Sequence, residues 1–111
     1  RAFRPIVYIC SPYSGDVDAN TTAARRYSRF AVEQGYIPIA PHLLFPQFLN
    51  DDSCRERQLG LFFGNAIMSK CSEVWVFGDK ITSGMEEEIQ RARWKNYRLR
   101  YFTNDCEEVC E

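Results

Sequence analysis

Apolar residues in this chain follow two alternating patterns, short continuous runs and longer stretches with a helical period. The runs are rich in β-branched and aromatic residues, as buried parallel strands are. They cover Pro5 to Cys10, Tyr36 to Ala40, Glu73 to Phe77 and Leu99 to Phe102. We therefore predict four strands separated by three helices.

The stretches between these runs carry helical periodicity and helix-terminal signals. The first, Asp18 to Gln34, has one inward face and stops at Gly35, a residue type that commonly closes helices. The second opens with Ser53-x-x-Glu56, a capping-box pattern, and the third covers Ser83 to Asn96. The predicted inward stripes are Asn20, Ala24, Tyr27 and Ala31 in the first helix and Leu59, Phe62, Phe63, Ala66 and Ile67 in the second.

Alternation of strands and helices is typical of a parallel sheet with helices on both faces and right-handed crossovers. We predict a single domain over residues 1–111 with a three-layer Rossmann- or flavodoxin-like α/β fold and a parallel sheet of four to five strands. A flavodoxin-like order puts strand 1 in the centre and the ligand-binding switch point between strands 1 and 3. Three loops then converge on one crevice: Ser11 to Asp16, Pro41 to Pro46 and Gly78 to Gly84.

Length and charge narrow the classes of function. The chain has 111 residues, enough for one domain, and its 14 Lys+Arg against 15 Asp+Glu give a net charge of −1. This balance supplies no global field for attracting nucleic acid, so we expect no nucleic-acid partner. No apolar run reaches the roughly 18 residues of a membrane span, and no leader precedes the first strand. We therefore expect a soluble, cytoplasmic protein with no membrane partner.

The cysteine content favours free thiols over disulfides. The five cysteines are odd in number, and Cys10 and Cys71 lie in or beside apolar elements, where free Cys behaves as a small hydrophobe. Cys106 and Cys110 have a C-x3-C spacing, which leaves a metal site or an oxidised pair as the less favoured alternative. We expect no metal and no other cofactor.

Three consecutive carboxylates open the third predicted helix, and they are not equivalent. Ser83 and Glu86 form an S-x-x-E pattern, so Glu86 is interpreted as part of a helix cap. At about 100° per residue, Glu88 falls about 60° from the inward-facing Met85, whereas Glu87 points nearly opposite. Glu88 alone combines a first-turn position with the edge of the buried face, which suits a poorly solvated nucleophile. The alternative is that it only complements the helix dipole.

The loops after strands 1 and 2 carry polar and aromatic side chains. The first loop offers hydroxyls and a glycine that suit a sugar better than a polyphosphate, because Asp16 and Asp18 would repel phosphates. Ordinary turn chemistry explains the same residues equally simply. His42 follows strand 2, and together with Phe45 it is a candidate lid over a planar base, although a lone histidine is more often structural.

Three motifs together resemble the nucleoside 2-deoxyribosyltransferase-like superfamily, in a branch of small bacterial and phage domains. They are Tyr-Ile-Cys-Ser-Pro-Tyr on strand 1, Ile-Pro-Ile-Ala-Pro-His on strand 2, and Phe-Gly-Asp-x-x-x-Ser-Gly-Met-x-x-Glu-Ile-x-x-Ala into the third helix. The resemblance covers residues 5–102. It implies that Glu88 attacks the sugar C1′ and forms a covalent glycosyl-enzyme, as in retaining glycoside hydrolysis.

The resemblance implies N-glycosidic bond hydrolysis or deoxyribosyl transfer on a (deoxy)nucleoside or nucleoside 5′-monophosphate, a small-molecule partner. The sequence departs from the family pattern at two positions. Gln90 occupies a position where the family usually has Gly, and Ser72 one where it typically has Asp. The acid that serves the leaving base is therefore open between Asp79, Asp16 and Asn65, with Asp79 as the working choice, and Phe48 is an alternative to Phe45 for stacking. A non-catalytic nucleotide sensor, possibly in phage defence, and a vestigial crevice remain alternatives. The predicted substrate-binding residues are Tyr8, Ser11, Tyr13, Ser14, Gly15, His42, Phe45, Gly78, Ser83, Gly84 and Met85.

The outer face of the third helix bears on assembly. Trp94 lies about 180° from Met85, which exposes a large aromatic ring in a monomer, and such residues are enriched at interfaces. We predict a homodimer or larger homo-oligomer, as the resemblance also implies. The nearby cations are dispersed over a helix and a strand, which argues against a nucleic-acid patch; they are Arg91, Arg93, Lys95, Arg98 and Arg100. They are interpreted as complementing the helix dipole, and the alternative is that one arginine contacts a 5′-phosphate.

Overall fold

The computed structural model describes residues 3–110, and within them five strands form one sheet in the order β2-β1-β3-β4-β5. The first four strands are parallel, and β5 pairs antiparallel with β4. Strand 1 lies between strands 2 and 3, so the predicted α/β fold and its strand order are confirmed. The strands are β1 (Ile6–Cys10), β2 (Ile37–Ile39), β3 (Glu73–Phe77), β4 (Arg98–Phe102) and β5 (Glu108–Val109).

The helices lie on both faces of the sheet. They are α1 (Val17–Glu33), α2 (Pro41–Leu44), α3 (Cys54–Met68) and α4 (Ser83–Trp94), and a short 3-10 turn covers Phe45–Gln47. The prediction of an irregular loop at Pro41 to Pro46 was wrong, because Pro41 starts a short helix at a position where its missing N–H costs nothing.

Alternation along the strands divides the core in two. On one face, Val7, Ile9, Trp75 and Phe77 pack with Tyr27 of α1. On the other face, the alternate strand residues pack with α3 and α4; this cluster includes Tyr8, Cys10, Val74, Val76, Met68, Met85, Ile89 and Ala92. Because side chains alternate along a strand, Tyr8 and Cys10 are directed to the face that carries α3 and α4.

The packed face of α3 differs from the predicted stripe. Gly64 and Met68 are buried, whereas Leu59 and Phe62 are exposed, the latter by 68%. Ala66 is also exposed, so the stripe was only partly right, since Phe63 and Ile67 are partly buried. The predicted stripe overlooked Gly64, the glycine that lets α3 approach the sheet.

The ends of α3 and α4 refine the predicted caps. Ser53 caps α3 as expected, accepting from the Glu56 amide at 3.3 Å. The cap of α4 is Thr82, whose Oγ1 accepts from the Met85 amide at 3.2 Å, so the predicted Ser83–Glu86 capping box was wrong. The helix also ends two residues before Asn96, which has a positive φ of 59° and closes it.

An ionic and aromatic cluster ties β5 to the amino end of β3. The buried carboxylate of Glu73 accepts from Trp75 Nε1 at 2.8 Å and from the Tyr36 hydroxyl at 3.2 Å. Arg100 lies 3.6 Å from Glu73 and donates to Glu108 through two nitrogens at 2.8 Å each. Part of the basic run therefore has a structural role, at the edge of the sheet opposite the predicted crevice.

Candidate active site

A cavity of about 130 Å³ lies beside the carboxyl end of β1, enclosed by the α2 segment, α3 and the first turns of α4. The structure brings five of the sequence-predicted site residues to its wall, together with Asn65. These five are Tyr8, Tyr13, His42, Phe45 and Glu88. They come from four separate parts of the chain, so the fold, and not local sequence, assembles the site.

Both oxygens of the Glu88 carboxylate accept hydrogen bonds at the wall of this cavity. The Tyr8 hydroxyl donates to its Oε2, and the Cys10 thiol donates to its Oε1 at 3.4 Å. Burial raises the pKa of Glu88, and the neighbouring Glu87 raises it further, while the two donors lower it. The result is a partly desolvated carboxylate with one donor on each oxygen, which combines reactivity with a fixed orientation.

Gly64 of α3 makes room for the tyrosine that holds Glu88. A Cβ built at Gly64 would lie 3.3 Å from the Tyr8 hydroxyl oxygen, which is tighter than ordinary contact. Burial raises the pKa of Tyr8 well above its usual value, and the Glu88 charge raises it further, so the hydroxyl stays protonated as a donor. The sequence analysis missed Gly64, although a glycine inside an amphipathic helix that no turn or cap requires signals a packing or functional constraint.

Tyr13 and His42 form a stacked pair on the opposite wall. Their ring centroids lie 4.8 Å apart with 22° between the planes. Burial lowers the pKa of His42, and Asp51 together with a hydrogen bond to the Ser11 backbone opposes this effect. With its pKa below the ordinary value, His42 is mainly neutral at pH 7, so the pair offers a flat, uncharged surface.

Three charged residues of the cavity were not foreseen: Asp51, Glu56 and Arg57. They lie at or before the start of α3, a region that the sequence analysis assigned only to helix capping. Glu56 instead accepts from the Asn50 amide at 2.6 Å with one carboxylate oxygen, which fixes its position. These residues add charged side chains to the cavity from a part of the chain without any recognised motif.

Asp79 does not reach the cavity. Its carboxylate accepts from Asn104 Nδ2 at 2.8 Å, in the turn between β4 and β5. Asp16, another candidate acid, caps α1 by accepting from the Ala19 amide at 3.1 Å. Of the three residues considered from sequence for serving the leaving base, the structure places only Asn65 in the cavity wall.

The remaining predicted binding residues lie outside the cavity wall. Met85 is a core residue, and Ser11 is buried with an Oγ that has no hydrogen-bond partner within residues 3–110. The others occupy neighbouring turns or the exposed start of α4: Ser14, Gly15, Gly78, Ser83 and Gly84. Phe48 is 63% exposed and contacts Phe45 edge-on, so Phe45 is the aromatic ring in the wall.

Glu88 also borders an open groove between α3 and α4. Phe62 and Trp94 lie along this groove with exposures of 68% and 83%. Leu61 and Asn65 line both the groove and the cavity, so the two spaces adjoin at Glu88. The exposure of Trp94 agrees with the sequence prediction.

Three further properties concern the cysteines, possible metal ligands and membrane-spanning helices. All five cysteines lie in the described part of the chain and are free, as predicted. Within residues 3–110, no three His, Cys, Asp or Glu side chains cluster in a way that would hold a metal ion. In the same residues, every helix is too short or too polar to cross a membrane.

Comparisons with known proteins agree with this architecture. A family model described as a domain of unknown function (DUF7768) matches residues 5–102. The fold is similar to the solved structure of a 2-deoxyribosyltransferase from the psychrotolerant bacterium Bacillus psychrosaccharolyticus, with a TM-score of 0.69 and 14% identity over 96% of this chain and 77% of that chain. At this identity the similarity establishes a related fold. No curated protein matches the sequence.

Proposed function

The chain belongs to the DUF7768 family, and from that premise we propose that it hydrolyses the N-glycosidic bond of a (deoxy)nucleoside or nucleoside 5′-monophosphate, or transfers the deoxyribosyl group of such a substrate. The observation that carries this proposal is the carboxylate of Glu88, held by Tyr8 and Cys10 at the wall of a cavity. Similarity to the fold of a 2-deoxyribosyltransferase supports the same class of chemistry.

In the proposed reaction Glu88 is the nucleophile. One carboxylate oxygen bonds to the sugar C1′ as the C1′–N bond to the base breaks, through an oxocarbenium-like transition state. Water or a second base then attacks C1′ and loses a proton to the residue that protonated the leaving base, the bond between C1′ and the Glu88 oxygen breaks, and the carboxylate is restored. The Tyr8 hydroxyl keeps Glu88 oriented through both steps, which is the positioning effect that lowers the entropic cost of reaction.

The leaving base needs a proton, and Asp51 is the residue we assign to this step. It lines the same cavity as Glu88, whereas Asp79 is bonded to Asn104. Glu56 also lines the cavity, but one of its oxygens is committed to the Asn50 amide. The flat Tyr13–His42 pair and the Phe45 ring provide apolar surfaces against which a planar base packs.

The groove between α3 and α4 is proposed as the contact with a second copy of the chain. Phe62 and Trp94 leave a large apolar area in water, and exposed aromatic residues of this kind are enriched in interfaces. Because the groove adjoins the cavity at Glu88, a partner covering it would also exclude water from the nucleophile.

A second candidate function is binding of a nucleotide without turnover. The observation that favours it is the position of Asp79, since this working choice for the acid is hydrogen-bonded to Asn104 and lies outside the cavity. Both candidates use the same cavity, so they differ only in whether base is released.

The decisive experiment separates binding from turnover. The protein is incubated with a panel of deoxynucleosides, ribonucleosides and their 5′-monophosphates, and free base is measured by chromatography. Thermal unfolding of the same mixtures reports binding, because a ligand of the folded state raises the midpoint. Glu88→Ala should lower base release at least about a hundredfold, the low end of what a positioned catalytic group supplies.

The matched control is Glu87→Ala, one residue away on the outer face of α4. Its activity should equal that of the wild type. Equal activity of Glu88→Ala and wild type would refute the assignment of Glu88 as the nucleophile. A thermal shift without base release would instead support the binding function, and the absence of both signals would refute both candidates.

A further inference from the structure

The two oxygens of the Glu88 carboxylate have chemically different donors. Oε2 accepts from a phenolic hydroxyl, that of Tyr8, and Oε1 accepts from a thiol, that of Cys10, at 3.4 Å. Cys10 has no exposed surface, and its sulfur also lies 3.9 Å from the Met85 carbonyl oxygen. The thiol therefore lies between the carboxylate and the first turn of α4, with no route to solvent.

A thiol has a distinct effect in such a position. It is a weak hydrogen-bond donor, so it fixes the direction of an oxygen while withdrawing less charge from it than a hydroxyl does. Burial raises the pKa of the Cys10 thiol well above its usual value, and the Glu88 charge raises it further, so the S–H proton stays in place. Cys10 is thus a protonated donor and not a second nucleophile.

We propose that Cys10 is a positioning residue of the catalytic carboxylate, which holds Oε1 of Glu88 in the plane set by Tyr8 while leaving the carboxylate nucleophilic. The proposal rests on the proposed function of Glu88. It adds a residue of this chain for which neither the resemblance nor the comparisons provide a role. The bonds made and broken are those of the two-step glycosyl transfer, and the S–H bond stays intact throughout.

The ionisation of Glu88 depends on every charged group around it. Tyr8 and Cys10 face it from β1, and the charge of Glu87, on the outer face of the same helix, also acts on it. Across the cavity the α2 and α3 segments contribute further titratable groups, which are His42, Asp51, Glu56 and Arg57. A test of Cys10 must therefore change only the donor at Oε1 and leave these groups unchanged.

The variants Cys10→Ala and Cys10→Ser meet this requirement. The first removes the donor, and the second replaces the thiol with a stronger one of similar size. We expect the pKa of Glu88, measured by carboxyl-carbon NMR titration of the folded protein, to be higher in Cys10→Ala and lower in Cys10→Ser than in the wild type. Cys71→Ala is the control, because this buried thiol donates to the Ile67 carbonyl at 3.4 Å and not to Glu88.

Kinetic measurements provide a second readout. Loss of one hydrogen bond predicts a fall in kcat/KM of about three- to tenfold for Cys10→Ala, with the acid limb of the pH profile moved upward. Cys10→Ser should move that limb downward, and Cys71→Ala should leave it unchanged. A merely structural cysteine would lower stability without moving the limb in opposite directions.

The outcomes distinguish this inference from the proposed function. An unchanged Glu88 titration in both folded Cys10 variants overturns the positioning role, whether or not the protein has activity. Opposite shifts in a protein that releases no base support the contact and refute the catalytic proposal. If one Cys10 variant fails to fold, the titration of the other still decides, because each has its own expected direction.

Discussion

Replacing Glu88 with glutamine should stabilise the protein at neutral pH. The carboxylate is partly buried, and burial is the largest cause of its raised pKa. Folding therefore removes an ionised group from water, and this costs about 1.4 kcal/mol for each unit by which the folded pKa exceeds the unfolded one. Glutamine has a similar shape, still accepts from the Tyr8 hydroxyl and carries no charge to desolvate.

The sign of the pH dependence follows from the same shift. Because the pKa of Glu88 is raised in the folded state, the folded protein binds the proton more readily than the unfolded chain between the two pKa values. The contribution of Glu88 to stability is thus fully present below the ordinary glutamate pKa and is lost as the pH rises through the raised folded value. The advantage of Glu88→Gln should be absent at low pH and reach its maximum above that folded value.

At pH 7 the expected result is a higher Tm for the variant than for wild type, and each 1 kcal/mol of gain corresponds to a rise of about 4 °C for a chain of this size. Thermal unfolding of wild type and variant, measured from acid to neutral pH, tests this directly. Glu87→Gln is the matched control and should show no comparable change, since Glu87 is exposed. A variant that is no more stable than wild type at pH 7 would contradict the view that Glu88 is held at a cost in stability.

Further predictions concern two glycines of α3, the interface, the ion cluster and nucleic acids. Gly60→Ala should stabilise α3 by up to about 1 kcal/mol, because the added Cβ would meet only ordinary contact at 3.7 Å. Gly64→Ala should stabilise the protein less and should lower base release, because its Cβ would lie 3.3 Å from the Tyr8 hydroxyl oxygen; denaturant titration measures the stabilities and chromatography the base release. Light scattering should show a dimer or larger assembly for wild type and a 13.0 kDa monomer for Trp94→Lys, and a monomeric wild type would refute the interface. Glu73→Ala should lower the free energy of unfolding by about 2 kcal/mol, since it leaves buried donors unpaired; a change below about 0.5 kcal/mol would contradict this. DNA binding should be negligible at physiological salt, and a micromolar affinity that falls steeply with added salt would overturn that expectation.

The fold was predictable because each of its main determinants is local. The apolar runs marked the four parallel strands, and the helical stretches between them left few alternatives for the topology. The antiparallel strand Glu108–Val109 was not predicted. It is two residues long, and its pairing with β4 is supported by the contacts of Arg100 with Glu73 and Glu108, which join residues far apart in the chain.

The position of Glu88 was predictable for a similar reason. Helical geometry alone placed Glu88 at the edge of the buried face and Glu87 outside it, and the structure has that arrangement. Helix periodicity is insensitive to a shift of the cap by one residue. The error of assigning the cap to Ser83 instead of Thr82 therefore left the assignment of Glu88 unaffected.

The other side of the cavity was not predictable, because its residues are brought there by packing. Asp51 and Arg57 have no motif, and their position depends on how α3 lies against the sheet. That approach depends on Gly64, which sequence periodicity counted as a gap in the apolar stripe. The acid was consequently sought at Asp79, beside the best motif, although the Asn104 side chain already occupies that carboxylate.

Glu88 lies in a wall shared by the exposed groove and the cavity. A carboxylate bordering both an enclosed cavity and an open groove is still partly accessible to water in a single chain. Covering the groove would strengthen its interactions with Tyr8 and Cys10, because electrostatic interactions grow as the local dielectric falls. If Phe62 and Trp94 contact a second copy, assembly should raise the pKa of Glu88 further. Comparing the Glu88 titration of wild type with that of monomeric Trp94→Lys would detect this, and identical titrations would show that the groove and the ionisation of Glu88 are independent.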